Sequence, residues 1–281
     1  MPGLMAFHAH PDDEVTSTGG VLAKYADAGE RVVVVTGTDG AEGEVHNYEN
    51  PDELRPQLPE IRAEEIAKAL AILGVHDHEF LGYRDSGMMG TDANNDARCL
   101  WQADFMEATE RLVRLIRLYT PEVVIIYDPY GGYGHPDHIQ VHRIGLAAFW
   151  SAADESRFPF EDGEMAWRPQ KLYWSAWPRS RVQAFAQRRL DRGLIDRAEY
   201  ERMQRGGQPD EELTAVIDIE RYIERKFEAW RAHRTQIPSD WWMYTVPEED
   251  WPAVFGRETF QRVLSRVEVP YYETDLFTGL R

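Results

Sequence analysis

The residues fit for chemistry sit in two short runs, His8–Ala9–His10–Pro11–Asp12–Asp13–Glu14 and Asp128–Pro129–Tyr130–Gly131–Gly132–Tyr133–Gly134–His135–Pro136–Asp137–His138. The first gathers two imidazoles and three adjacent carboxylates, which are costly to hold together unless a cation neutralises them. Alone, it reads as a helix N-terminus in which Asp12 or Asp13 caps and its neighbours are solvated. The second run also leads from an apolar segment into a helical pattern. If both loops lie at the same sheet edge, His10, Asp13 and His138 form a two-histidine, one-carboxylate set around a divalent metal, with one position open to water. Such a set suits catalytic zinc (Zn2+), whose Lewis acidity lowers the pKa of bound water to roughly 7, and it also accepts iron(II) (Fe2+). The chain has one cysteine, Cys99, so metal chemistry must rest on histidine and carboxylate.

The elements that position these runs follow from apolar patterning. Leu4 to Ala9 and Arg31 to Thr36 read as buried strands, and alternation along the first puts His8 and His10 on one side. Gly19 to Ala28 between them has helical spacing, giving a parallel strand–helix–strand unit. The pattern repeats with a helix over residues 59–73 stopped by Gly74 and a strand His78 to Leu81. It repeats again with a helix Phe105 to Leu118, a strand Val123 to Tyr127 and a helix Ile139 to Phe149. The fold class expected is α/β, a Rossmann-like, mostly parallel sheet flanked by helices, with a smaller mixed C-terminal region. Function is expected at the carboxyl ends of the strands, in the loops after residues 9, 36, 81 and 127. Residues 1–150 are read as the metal-binding catalytic core, and 151–281 as the C-terminal part of the same domain, completing the substrate pocket. Within that part, Lys171 to Trp177 reads as a strand, Ser180 to Gly206 as charged helix and Val216 to His233 as a long surface helix. Gly206 to Asp210 is the one linker-like, mobile piece, and Trp230, Trp241, Trp242 and Trp251 read as packing.

HAHPDDE at 8–14 together with GGYGHPDH at 131–138 resembles the PIG-L (LmbE-like) family of zinc-dependent N-acetylglucosamine deacetylases. Within it the likeness is to the mycothiol-pathway group, the N-acetylglucosaminyl-inositol deacetylases and the mycothiol S-conjugate amidases. It extends through RDSGMMGT at 84–91, AHRTQI at 232–237 and ETDLFTGL at 273–280. The resemblance implies hydrolysis of an N-acetyl amide on an amino sugar, with zinc held by His10, Asp13 and His138 and Asp12 as general base. It places Tyr133 and His135 as the pair polarising the carbonyl, and Asp137 as the carboxylate that orients His135 and keeps it charged. Arg62 and Asp85 fall at sugar-hydroxyl and phosphate or inositol contacts. Ser17 falls where the deacetylase has a small polar residue and the amidase a lysine, which favours a deacetylase-like pocket. Taken without the resemblance, Arg62 is an exposed helix charge paired with Glu65, and Gly131–Gly132 is a hinge on which Tyr133 swings.

Charge narrows the partners. With 31 Lys+Arg against 49 Asp+Glu the formal charge is −18, which repels phosphate backbones and anionic lipid surfaces, so neither nucleic acid nor membrane is an expected partner. The expected partner is a small-molecule amino-sugar conjugate, and homo-oligomerisation stays open. No basic leader and no uncharged apolar run near the ~18 residues of a membrane span is present, so a cytoplasmic protein is expected. Three other readings compete. A magnesium phosphatase built on Asp12–Asp13 is disfavoured because Mg2+ prefers all-oxygen ligands. A non-catalytic sugar- or metal-binding protein has no use for an uncoordinated Asp12 beside the metal. Conjugate-amidase cleavage of an amide on glucosamine is the nearest alternative.

Overall fold

Strand residues in the N-terminal half divide alternately between two cores. In β1 (Gly3–His8), Leu4 and Ala6 join one hydrophobic cluster while Met5 and Phe7 join the other; β2 (Arg31–Thr38) and β4 (Val123–Ile126) alternate likewise. Burial on both faces is why these strands read as continuous apolar runs. The computed structural model describes residues 3–281. Its sheet has seven strands in the order β3-β2-β1-β4-β5-β7-β6, with β3 spanning Asp77–Tyr83, β5 Lys171–Ala176, β6 Ala215–Asp218 and β7 Arg257–Ser265. β1 to β5 pair in parallel, and β7 runs antiparallel to β5 and β6. The chain winds outward from β1 to β3, then returns to the other side of β1 as β4. The crevice at the carboxyl ends of β1 and β4 is therefore the topological switch point, where open α/β sheets bind ligands.

The helices are α1 (Asp13–Asp27), α2 (Pro51–Leu54), α3 (Leu58–Leu73), α4 (Phe105–Tyr119), α5 (Pro136–Ser151), α6 (Arg179–Asp191), α7 (Arg197–Met203), α8 (Ile223–Ala232) and α9 (Trp251–Phe255). α1, α3 and α8 cover one face of the sheet, and α4 and α5 the other. Both helices that leave the crevice begin before their apolar spacing does, at Asp13 rather than Gly19 and at Pro136 rather than Ile139. Their first turns are polar because they face the crevice.

The C-terminal third departs from expectation. Val216 to His233 is not one surface helix: Ala215–Asp218 forms the edge strand β6, paired to β7, and α8 follows with Ile223, Phe227, Ala229 and Trp230 buried. Ser180 to Gly206 breaks at Gly193 into α6 and α7. Gly206 to Asp210 is no loose linker, because the Gln208 N–H donates to Trp177 O and the Arg179 N–H to Gln208 O, each at 2.8 Å. Glu273, which opens the terminal motif, is fully buried and accepts from Lys171 Nζ and from the Tyr173 hydroxyl, tying the chain end to β5. Among the described residues no helix is long and apolar enough to cross a membrane.

Candidate active site

β1 ends at His8, so the strand alternation does not carry on to His10, and the two imidazoles diverge. His8 is enclosed: the Thr18 hydroxyl donates to Glu14 O at 2.8 Å, so its oxygen accepts from His8 Nε2–H at 2.9 Å. His8 Nδ1 then accepts from the Tyr127 hydroxyl at 3.0 Å. This assignment matches a neutral ring, since burial pulls the His8 pKa down to about 4. Tyr127 in turn stacks flat on His138, with ring centroids 4.4 Å apart and planes 11° apart, and so fixes that ring.

His10, Asp13 and His138 meet in a nearly equilateral triangle. His10 Nδ1 to Asp13 Oδ2, His138 Nε2 to Asp13 Oδ2 and His138 Nε2 to His10 Nδ1 are each 3.3 Å. A tetrahedral ion with bonds of about 2.0–2.1 Å needs ligand edges of about 3.3–3.4 Å. An octahedral ion with the same bond length needs about 3.0 Å or less. The donor set therefore fits a divalent metal held by two nitrogens and one oxygen. The other nitrogen of His10 is committed: Nε2 lies 3.1 Å from Asp137 Oδ2, which fixes its proton there and turns the Nδ1 lone pair into the triangle. Donor atoms of His135 and His138 also lie within 4.8 Å of His10, as do those of Asp85, His135 and Asp137. The second of these sets shares His10 with the triangle, and its carboxylates accept hydrogen bonds, as Asp13 Oδ2 does from the His10 N–H at 2.8 Å. Asp137 accepts from the Ser86 N–H and hydroxyl, and Asp85 from the Gly87 and Glu42 N–H groups. Against the cost of burial, Asp85, Asp13 and Asp137 hold the His10 pKa well above its ordinary value. The carboxylates around His10 thus favour positive charge, which a divalent cation in the triangle would supply.

Asp12 lies beside the triangle and outside it. It stands at the N-cap of α1, yet its side chain accepts no capping hydrogen bond, which removes the capping interpretation. Its carboxylate instead meets Arg62 Nη2 at 3.2 Å. Burial and the charge of Asp13 push its pKa up to about 6, against the pull of the Arg62 guanidinium.

Arg62 and Asp85 are both buried beside the first loop. Arg62 is only 2% exposed, donating to Gly40 O and Pro11 O as well as meeting Asp12. It is thus no exposed charge paired with Glu65, whose carboxylate accepts from Thr235. Asp85 is 3% exposed, its Oδ1 3.5 Å from His10 Nε2.

The pairing of Asp137 with His135 also differs. Asp137 faces His10, and its carboxylate is 3.9 Å from His135 Nδ1. That nitrogen accepts from the Asp137 backbone N–H at 3.1 Å, so His135 caps α5 and is a neutral ring with its proton on Nε2. Burial, with the neighbouring His10 and His138, pulls its pKa down to about 3. Tyr133 is 56% exposed, with its hydroxyl 3.4 Å from His138 Nε2, and burial of the phenol oxygen and the Asp13 charge keep it protonated. Gly131 precedes it with φ 66°, and a Cβ there would press on the Cβ of His138, so the glycine permits close approach to α5. His142 is turned away from the triangle, its Nδ1 on Tyr127 O at 3.0 Å.

A cleft of about 670 Å³ opens over the triangle, lined by Asp13, Ser17, Tyr133 and His138 at its base and by Tyr130, Trp177, Arg202, Arg205 and Gln208 further out. Ser17 is thus among the residues that line this cleft. The sequence did not mark His8, Tyr127, Ser86 or His233 as site residues. His8 and Tyr127 stand at strand ends, which was the available signal; Ser86 and His233 lie in the quoted motifs but had no partner pattern.

A family profile described as PIG-L, GlcNAc-PI de-N-acetylase, matches residues 5–149. The chain is 41% identical to a Catenulispora acidiphila protein named 1D-myo-inositol 2-acetamido-2-deoxy-alpha-D-glucopyranoside deacetylase 1, over 99% of this chain and 89% of that one. It is 43% identical to the similarly named deacetylase of Thermomonospora curvata, over 99% of this chain and 96% of that one. Among solved structures, N,N'-diacetylchitobiose deacetylase from Pyrococcus horikoshii has the same fold, with a TM-score of 0.65 at 21% identity over 94% of this chain and 84% of that one.

Proposed function

The chain belongs to the PIG-L family, and from that premise we propose that it hydrolyses the acetamide of an N-acetylglucosaminyl small molecule, releasing acetate and a free amine. An N-acetylglucosaminyl-inositol is the substrate the relatives' names favour. The observation that carries the proposal is the 3.3 Å triangle of His10, Asp13 and His138 with the uncoordinated carboxylate of Asp12 beside it. When bound there, a divalent metal, zinc by the ligand types, with iron(II) also compatible with them, supplies Lewis acidity to water and to the amide carbonyl.

The chain's own residues do the rest. Asp12, held by Arg62 and free of capping duty, takes the proton of the attacking water and later returns one to the departing amine. The tetrahedral intermediate on the substrate carries an oxyanion that needs donors, and two are at hand: the Tyr133 O–H and the Nε2–H of neutral His135. His135 is thus a neutral donor oriented by the Asp137 backbone amide. The Asp137 carboxylate acts through His10, fixing which nitrogen faces the triangle. Ser17 and the outer cleft wall contact the sugar and its substituent, where no bulky cation stands at position 17.

Acetate release from an N-acetylglucosaminyl-inositol, measured with metal content on wild type and Asp12→Ala, tests this reading. Wild type is expected to turn over, and the variant to keep its metal while losing about 10²–10⁴ in kcat. A metal-loaded wild type that frees no amine from any acetylated amino sugar sinks the proposal.

A further inference from the structure

Asp12 has φ 126° and ψ −25°, a conformation that strains any residue carrying a Cβ. Such a backbone persists only where its surroundings over-determine it, and here the determining contact is unusual. Asp12 is the N-cap of α1, and Glu14 Oε2 reaches back to accept the Asp12 N–H at 2.9 Å. A capping box has two reciprocal halves, in which the early glutamate takes the N-cap N–H while the N-cap side chain takes an N–H in the first turn. In this chain Glu14, at the second helical position rather than the third, takes the Asp12 N–H, and the N-cap side chain makes no return bond. The missing half is the one that would have consumed the Asp12 carboxylate.

Glu14 does not hold itself. It is fully buried, and its Oε1 sits 2.7 Å from Nε2 of His233, also fully buried, which arrives from the end of α8, 219 residues along the chain. The other nitrogen, His233 Nδ1, has no partner among the described residues. The polar commitment of this ring is to Glu14 alone. Neither residue reaches the cleft, so neither touches substrate.

We propose that Glu14 and His233 are positioning residues for Asp12: Glu14 fixes the backbone of Asp12 in its strained form so that the carboxylate stays beside Arg62 and clear of the α1 N-terminus, and His233 fixes Glu14. The inference rests on Asp12 being the base. It is tested with metal-loaded wild type, Glu14→Ala, Glu14→Gln, His233→Ala and His233→Gln, by steady-state acetate release and metal content. Amide hydrogen exchange at Asp12 in the metal-free proteins adds a readout independent of turnover. Both alanine variants are expected to lose about a hundredfold in kcat, the cost of slight misplacement of a catalytic group. KM should stay within about twofold, metal content should match wild type, and the Asp12 amide should exchange faster. Glu14→Gln keeps an acceptor for that amide and His233→Gln keeps an N–H for Glu14, so both should recover most of kcat. An alanine variant with kcat within about twofold of wild type overturns the proposal. So does a kcat loss matched by lost metal, which would assign the pair to the metal loop. If Glu14→Ala does not fold, His233→Ala decides by the same criteria. A wild type that releases no acetate defeats the deacetylase reading instead, and unchanged Asp12 exchange in His233→Ala then overturns the positioning role by itself.

Discussion

The loop after β1 and the loop after β4 meet over the same crevice but are built by opposite means. In the first, His10 is 7% exposed, Arg62 braces the Pro11 carbonyl and the Asp12 carboxylate from below, and Glu14 holds the Asp12 amide. The second is fastened at its root, where Asp128 accepts from the Tyr130 and Gly132 N–H groups and from Gln208. Beyond that root it crosses left-handed glycines and leaves the Tyr130 and Tyr133 side chains more than half exposed, with the Tyr133 hydroxyl turned in toward His138. The difference follows the proposed chemistry: Asp12, as the base, must stand at a fixed distance before substrate arrives, as must His138 and His135 at the buried end of the second loop, whereas Tyr133, as an oxyanion donor, is needed only once the substrate is in place.

Three substitutions sharpen or break this contrast. Arg62→Ala should cost about 3 kcal/mol in urea unfolding, because it strands the Asp12 carboxylate and two carbonyls; this is the low end for a buried pair, since Asp12 keeps some solvent contact. A wild-type unfolding midpoint would show that the first loop is not braced as described. Tyr133→Phe should leave that midpoint unchanged and lower kcat about a hundredfold, equivalent to about 2.7 kcal/mol of barrier, with KM little altered. A stability loss there would mean that the second loop is packed after all. The smallest effect is expected from Gly132→Ala. Its φ is 75° and a Cβ would meet nothing within 4 Å, so only the backbone penalty of about 1–2 kcal/mol applies, again read by urea unfolding.

Much of this contrast could be read before the structure. Strands buried on both faces announce themselves as apolar runs, so β1, β2 and β4 and the loops behind them were legible, as was the triangle those loops bring together. The C-terminal strands were not. Ala215–Asp218 is too short to show alternation, and the apolar residues at 219, 223, 227 and 230 continue it in helical register, so the edge strand vanished into a helix. β7 is legible only through its partners, being half-buried along much of its length. Within the site, residue identity did not say which ring a carboxylate would face. Asp137 stands two residues from His135 and 127 from His10, yet its carboxylate pairs with His10. The burial of Arg62 was equally hidden, because the carbonyls it serves belong to two other loops.

The contact between His233 and Glu14 also sets a clock. At about 5–20 residues per second of synthesis, the ribosome makes His233 about 10–45 s after Glu14. By then the strands β1 to β5 and both motifs already exist. The core that packs α1 is closed in part by Ile217, Ile219, Ile223, Phe227 and Trp230, so the first loop gains both that packing and the partner of Glu14 only when the C-terminal third is made.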